Sequence, residues 1–214
     1  MLRLVLGSAL AMSRGYAAPE VGETLAKART LAEQLGRPDS LIRLFNGMHY
    51  YYLVRSEHEN ALRVAQRMEE IVEGQDDLAL SLMAHRQHGA SRFYLGEFVL
   101  ARVLFRQCVE LSESRHGMSA EDPHAPMLGT LAWTLTYMGF IDQARSCLSK
   151  ALSEARQRER AYELVLILNI ASRICQLIGM SDESHRYATQ GLALSDEHGS
   201  YTTRLMRRLT AGLG

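Results

Sequence analysis

Residues 89–108 read GASRFYLGEFVLARVLFRQC, and this stretch holds the pattern that decides the fold. A small residue, Gly89, is followed seven positions later by Gly96, then by an alanine five positions on and a phenylalanine four positions after that. A similar order of small and large residues recurs around Gly139 and Gly179. Small side chains let two helices approach closely, and glycine permits the left-handed backbone of a tight link. The stretch therefore predicts two antiparallel helices joined by a short turn.

The turn residues recur at a nearly constant spacing along the chain. They fall at positions 15, 56, 96, 139 and 179, so that successive turns lie 41, 40, 43 and 40 residues apart. Tetratricopeptide repeats are helix–turn–helix units with a period of about 34 residues, and neighbouring units must stack to bury their apolar faces. We therefore predict an all-α fold in a single domain over residues 1–214. In it, about five antiparallel helix pairs form a right-handed superhelical, tetratricopeptide-like solenoid.

The apolar periodicity also predicts the helix boundaries. No strand is predicted, because β-branched residues do not cluster in alternating runs. Asp39 and Ser181 are predicted to be N-caps, since their side-chain oxygens can accept hydrogen bonds from the first amides of a helix. The predicted helices span residues 2–13, 18–35, 39–54, 57–74, 77–94, 97–114, 125–138, 141–157, 160–178, 181–198 and 200–212.

Charge and hydropathy argue against two classes of partner. The chain has 24 basic and 24 acidic residues and a formal net charge of zero, whereas nucleic-acid binders usually carry a basic excess. We interpret the short cluster of Arg204, Arg207 and Arg208 as a solvated helix face. No apolar stretch approaches the roughly 18 residues that a membrane span needs. We therefore expect neither nucleic acid nor a membrane as a partner.

The three cysteines, Cys108, Cys147 and Cys175, are odd in number, far apart and outside any C-x-x-C motif. This usage argues against a disulfide framework or a zinc site and favours a reducing compartment, the cytoplasm. Each cysteine lies in an apolar helical context, which predicts that it is buried. The segment 2–13 has two interpretations, a short signal peptide or an amphipathic first helix, and we favour the helix because it fits the repeat.

Short stretches of the chain share their order and spacing with a known family. They are residues 14–21, 84–86 with 89–90, 95–97, 122–123, 131–133, and 139–140 with 142–144. They resemble the C-terminal tetratricopeptide region of bacterial multidomain signalling proteins, which carry a class III adenylate/guanylate cyclase domain and an ATPase domain ahead of the repeats. The resemblance covers nearly the whole chain and implies a piece of a longer protein. It departs at His88, where the family has an apolar residue, and at Ile141, where the family has a proline.

Motifs for catalysis are missing from the sequence. It contains no G-x-x-x-x-G-K-[ST], no G-x-G-x-x-G and no G-x-S-x-G. A phosphate-binding loop, a dinucleotide fingerprint and a nucleophile elbow are therefore not predicted. We expect a chain that is not an enzyme and that has no catalytic residues, no cofactor and no metal.

Some titratable residues need a separate interpretation. His85 and His88 lie three positions apart on a predicted helix and could bind a metal, but their repeat positions favour packed or hydrogen-bonded histidines. His124 falls in a predicted link and is expected to be solvated. The pair Glu69 and Glu70 is expected to form a solvated face rather than a general acid–base pair.

The resemblance also supplies a register for the concave groove, which the first helix of each pair lines in tetratricopeptide folds. The twenty positions assigned to this groove include arginines, amides and aromatic residues but no carboxylate. Arginine and asparagine suit carboxylate or peptide-backbone recognition, and aromatic residues supply contact area, although some of them could belong to the core. The candidate ligand-binding residues are Arg43, Asn46, Tyr50, Arg86, Phe93, Tyr94, Trp133, Tyr137, Asn169, Arg173 and Gln176.

Two functions are compatible with this sequence. One is an interaction or sensing module that binds a protein or peptide, acidic in character, and regulates an attached or partner signalling enzyme. The other is an effector-binding repeat domain of an ATPase-type transcription regulator. In either case, exposed terminal helices could pair two chains into a homo-oligomer.

Overall fold

The computed structural model describes residues 18–35, 38–113, 124–158 and 160–197. Within these residues the chain forms nine α-helices and no strand, which confirms the predicted all-α fold, and every helix end lies within two residues of its predicted position. The predicted helices 2–13 and 200–212 lie outside the described residues. The helices are α1 (Pro19–Leu35), α2 (Pro38–Val54), α3 (His58–Val72), α4 (Leu78–Tyr94), α5 (Phe98–Glu113), α6 (His124–Tyr137), α7 (Ile141–Gln157), α8 (Ala161–Leu177) and α9 (Ser181–Glu197).

The four described turns inside the helix pairs share one backbone conformation. Their turn residues, Ser56, Gly96, Gly139 and Gly179, have φ values of 61°, 80°, 80° and 79°. In each turn the amide after the turn residue donates to the carbonyl five residues before it, at 2.8–3.0 Å. This is the Schellman arrangement, which ends a helix with a residue in the left-handed region. The structure therefore confirms these predicted turns and the repeat that they define.

The chain divides into two compact units, residues 1–107 and residues 108–214, with the boundary inside α5. In the first unit, α2 packs against α1, α3 and α4, and α3 packs against α4. Gly89 of α4 allows a close approach, because a Cβ atom there would lie 2.8 Å from the ring of Phe105. The core of this unit includes Val21, Leu25, Ala28, Ile42, Leu44, Phe45, Met68, Val72 and Leu80.

In the second unit, α6 packs against α7 and α8, and α8 packs against α7 and α9. Ala144 of α7 and Ala188 of α9 are fully buried, as is Ala101 of α5 in the first unit. Small residues at these three repeat positions let the paired helices approach closely, as the sequence pattern predicts. A Cβ atom on Gly129 would lie 3.3 Å from the side chain of Ile170, so α6 and α8 also pack tightly.

Local details differ from the predictions at the helix starts. Helix α2 begins at Pro38 and α9 at Ser181, so Asp39 and Ser181 lie inside the first turns instead of at the N-caps. Asp77 is an N-cap that the sequence analysis missed. Its carboxylate accepts hydrogen bonds from two amides of α4, at 3.0 and 3.1 Å.

The cysteines form no disulfide. Cys108 and Cys175 are buried as predicted, whereas Cys147 is half-buried. None of the helices in the described ranges is long and apolar enough to cross a bilayer.

Candidate partner-binding site

In the first unit, side-chain hydrogen bonds connect the facing sides of α2 and α4. The amide nitrogen of Gln87 donates to the side-chain oxygen of Asn46. His49 Nε2 lies 2.9 Å from Ser91 Oγ, and that hydroxyl donates to the carbonyl of Gln87 at 3.0 Å. Because the hydroxyl proton is used there, Ser91 Oγ accepts the proton of His49 Nε2. The two helices are thus joined by paired polar side chains that are largely buried.

The imidazole of His49 stays neutral in this position. Burial lowers its pKa, and the nearby positive charge of Arg86 lowers it further, to about 3. A neutral imidazole carries one N–H donor, which His49 uses for Ser91.

Arg86 itself is half-buried, and its Nε atom is shielded from solvent. Among the described residues, no hydrogen-bond acceptor lies within reach of this Nε atom and no carboxylate forms an ion pair with the guanidinium. Asn46 and Arg86 are both half-buried, on the packed helices α2 and α4, and we call the surface of this helix pair the α2–α4 face.

The other candidates of this unit have different surroundings. Arg43 is exposed and Tyr50 is half-buried on α2. Tyr94 is 44% exposed and stacks on His58, with ring centroids 5.4 Å apart and planes inclined by 17°. Phe93 is only 7% exposed and packs edge-on against neighbouring rings, so it belongs to the core.

In the second unit, Arg173 of α8 and Trp133 of α6 are in contact. The guanidinium carbon lies 5.4 Å from the centroid of the indole ring, which is a cation–π distance. Tyr137 lies one turn further along α6, with its ring 6.3 Å from that of Trp133, and is 45% exposed. The Nε atom of Arg173 is shielded from solvent and has no hydrogen-bond acceptor among the described residues. We call this surface the α6–α8 face.

Two further candidates lie on α8. Asn169 is buried one turn before Arg173, so it is poorly placed to meet a partner directly. Gln176 is exposed near the end of the helix. The structure thus places Trp133, Tyr137 and Arg173 together, while Asn169 lies beneath the surface.

A cluster around Glu69 differs from its predicted state. Glu69 is half-buried on α3, and its carboxylate lies 2.7 Å from Nδ1 of His88 and 3.3 Å from Nδ1 of His85, both on α4. Burial alone would raise its pKa, but the two histidines beside the carboxylate outweigh burial and lower it to about 2. The prediction of a solvated Glu69 is wrong, whereas the prediction of a hydrogen-bonded histidine is confirmed for His88. Arg92 Nε also donates to His88 Nε2 at 3.1 Å, so both ring nitrogens of His88 are occupied.

His124 is also placed differently from its prediction. It is buried at the start of α6, and its Nδ1 lies 2.8 Å from a carboxylate oxygen of Glu154 on α7. The expectation that it is solvated is wrong, because the residue begins a packed helix instead of extending the link. Over the part of the chain that the structure describes, no three histidine, cysteine or acidic side chains are arranged to hold a metal ion.

The sequence analysis missed the polar partners inside the α2–α4 contact. Gln87 and Ser91 are buried on α4, and they recur at the four-residue spacing of one helix face. These residues could have been found from the sequence as polar residues at helix positions that are otherwise apolar and buried, because buried polar groups need hydrogen-bond partners.

Comparison with known proteins gives matches in fold. No protein-family model and no curated protein matches the chain. A Rap protein complexed with Competence and Sporulation Factor is 14% identical, with a TM-score of 0.76 over 90% of this chain and 53% of that protein. The tetratricopeptide-like repeats of a putative kinesin light chain from Podosopora anserina are 14% identical, with a TM-score of 0.65 over 92% and 95%.

A third match is a signal transduction ATPase with numerous domains and a tetratricopeptide repeat sensor, from Pyrococcus horikoshii. It is 10% identical, with a TM-score of 0.66 over 99% of this chain and 32% of that protein. The chain thus spans about half the length of the Rap protein and about a third of the ATPase. These likenesses establish a tetratricopeptide-like fold for the chain.

Proposed function

We propose that this chain is a non-enzymatic partner-binding module that recognises an extended segment of a protein or peptide carrying carboxylates. One observation carries the proposal. Arg86 and Arg173, on the first helices of two repeats, each hold an Nε–H group that is shielded from solvent and lacks an acceptor among the described residues. A donor left without a partner in such a place is costly, on the order of 1–3 kcal/mol. A carboxylate or peptide carbonyl of a partner would supply the acceptor.

Some other arginines of the chain have carboxylate partners of their own. Arg92 pairs with Glu97 at 2.6 Å, and Arg55 pairs with Glu57 at 2.7 Å. These pairs are formed within a single helix hairpin, so their guanidiniums are already neutralised. Arg86 and Arg173 lie instead among the groove positions, where the sequence contains no acid. Positive charge beside low-dielectric walls concentrates negatively charged ligands.

Aromatic side chains in both units can supply contact area. Trp133 contacts Arg173, Tyr137 lies beside Trp133, and Tyr50 lies on α2 in the first unit. Tryptophan, tyrosine and arginine are the residues that most often dominate binding energy at protein interfaces. We infer that each face binds, through its own arginine, a side chain or carbonyl of a partner segment, and that Trp133 and Tyr137 add apolar contact on the α6–α8 face.

Regulation of a signalling enzyme is the role that we assign to this binding. The enzyme is either a separate partner or a domain of the same protein, such as the cyclase or ATPase domains that the sequence resemblance implies. The alternative is an effector-binding domain of an ATPase-type transcription regulator. The likeness to a tetratricopeptide sensor in a signal transduction ATPase favours keeping this alternative. We place either role in the cytoplasm.

Selection from a display library of random twelve-residue peptides, followed by measurement of Kd for the recovered sequences, tests the proposal. We expect peptides enriched in aspartate and glutamate. Arg86→Ala and Arg173→Ala should each weaken binding about tenfold or more, because a charge-assisted hydrogen bond contributes roughly 1.5–3 kcal/mol. The control is Arg106→Ala, an exposed arginine of α5 that is not a groove position. Recovery of only basic peptides, or equal losses in all three variants, would refute the proposal.

A further inference from the structure

The second unit contains a cleft that shares no residue with the partner-binding candidates. It lies between α7, the end of α8 and the start of α9, and its volume is about 520 Å³. We propose that this cleft binds a small organic anion with an apolar body and one acidic headgroup. Its lining includes Arg145, Leu148, Leu152, Ser153, Arg156, Ile174 and Glu183.

Helix α7 gives the cleft its amphipathic character. The lining residues of α7 recur at intervals of three and four positions, which places them on one face of the helix. Leu148 and Leu152 are buried and, with Ile174 of α8, form an apolar floor. Arg145 and Arg156 are exposed at either end of this face, about 16 Å apart along the helix axis. An apolar body on the floor would therefore have a guanidinium within reach at either end.

The charges around the cleft favour an anion. In the described part of the chain, neither Arg145 nor Arg156 forms an ion pair. Glu183 is the carboxylate among the lining residues, and it accepts a long hydrogen bond from the thiol of Cys175 at 3.9 Å. The lining therefore carries two guanidiniums against one carboxylate. A ligand carboxylate or sulfonate can pair with an arginine without displacing an existing partner.

The thiol of Cys175 is not suited to bind the ligand covalently. Burial raises the pKa of its thiol, and the negative charge of Glu183 raises it further. A thiol with a raised pKa is a poor nucleophile, because the thiolate is the reactive form. Binding in the cleft is therefore non-covalent. The volume of the cleft lies within the roughly 300–1,000 Å³ of small-molecule sites.

A matched pair of fluorescent probes tests this inference. 1-Anilinonaphthalene-8-sulfonate has an apolar body and an anionic group, and N-phenyl-1-naphthylamine is the same body without the sulfonate. Titration of the native chain should give one sulfonate site per chain with an affinity at least about tenfold higher than that of the neutral probe, as expected for a charge-assisted contact. Equal affinities for the two probes would overturn the proposal.

Two variants locate the probe. Arg145→Gln/Arg156→Gln should weaken sulfonate binding about tenfold or more and leave the neutral probe within about twofold, since only the charge contact is lost. Ser153→Trp, at an exposed position of α7, should fill the cleft and abolish binding of both probes. Arg106→Gln is the charge control, and an unchanged thermal midpoint shows that each variant is folded. Unchanged sulfonate binding in either cleft variant would contradict the inference.

Discussion

The two units join the first helices of neighbouring repeats by different means. In the first unit, buried polar side chains bridge α2 and α4, as in the contact of His49 with Ser91. In the second unit, the buried threonines of α6, Thr134 and Thr136, donate to carbonyls of their own helix. There, Gly129 lets α6 approach the apolar side chains of α8.

This difference changes how each arginine is held. Buried hydrogen bonds fix the relative orientation of two helices, because any displacement leaves polar groups without partners. Arg86 therefore extends from a helix pair, α2 and α4, whose relative orientation is fixed by hydrogen bonds. Arg173 rests on the ring of Trp133 beside an apolar contact, which is less directional. We expect the first face to set the register of a bound segment and the second to accept more varied partners.

The largest expected effect is in the apolar contact of the second unit. Ile167→Ala on α8 removes a fully buried side chain that lies beside Gly129 and should lower the free energy of unfolding by about 2–5 kcal/mol. Urea denaturation followed by circular dichroism measures the loss. Leu177→Ala, half-exposed on the same helix, is the control and should cost much less. Similar losses for both variants would mean that the contact between α6 and α8 is not a packed core.

A fall in pH should destabilise the polar contact between α2 and α4 more than the contact between α6 and α8. The folded-state pKa of His49, about 3, lies below the ordinary value of 6.5. The unfolded chain therefore binds the extra proton below pH 6.5, and stability should fall as the pH drops from 6.5 towards 3, by up to about 1.4 kcal/mol per pH unit. Hydrogen exchange between pH 7 and pH 5 should show earlier opening of α2 and α4 than of α6 and α8. In His49→Leu this difference should shrink, and an identical pH response in that variant would contradict the assignment.

A smaller loss in the free energy of unfolding should distinguish a buried hydroxyl that bonds a neighbouring helix from one that bonds its own helix. Ser91→Ala removes the hydroxyl that accepts the N–H of His49 and should cost about 1–3 kcal/mol. Thr134→Val should cost about 1 kcal/mol or less, because that hydroxyl serves a carbonyl of its own helix. Chemical denaturation measures both values. In the double variant His49→Leu/Ser91→Ala the losses should not add, and strict additivity would show that the two side chains do not interact.

The smallest expected effect compares equivalent turns. Ser56 is a non-glycine residue in the left-handed region, where Gly96, Gly139 and Gly179 stand in the other repeats. Ser56→Gly should raise the free energy of unfolding by about 0.5–1 kcal/mol, whereas Gly139→Ser should lower it by about 1 kcal/mol. Thermal unfolding measures both changes, and a destabilising Ser56→Gly would contradict the common turn geometry.

The fold could be predicted from the sequence because it depends on local and periodic features. Helix ends and left-handed turns are encoded within a few residues, so Gly96 and Gly139 could be identified directly. The candidate faces depend on which side chains meet across helices. His49 and Ser91 are 42 residues apart, and Glu69 and His88 are 19 apart, so no local pattern pairs them. A helical register predicts which face of a helix a residue occupies, but not which residue of another helix it contacts.

The two arginine Nε–H groups give the most direct test of partner binding. Proton–nitrogen correlation NMR can follow these groups in the native chain while the highest-affinity peptide from the selection is titrated. We expect the Nε–H signals of Arg86 and Arg173 to move to lower field and to exchange more slowly with water when the peptide binds, because each gains an acceptor. The Nε–H signal of Arg106 should not move. Saturating peptide that leaves Arg86 and Arg173 unchanged would contradict the account.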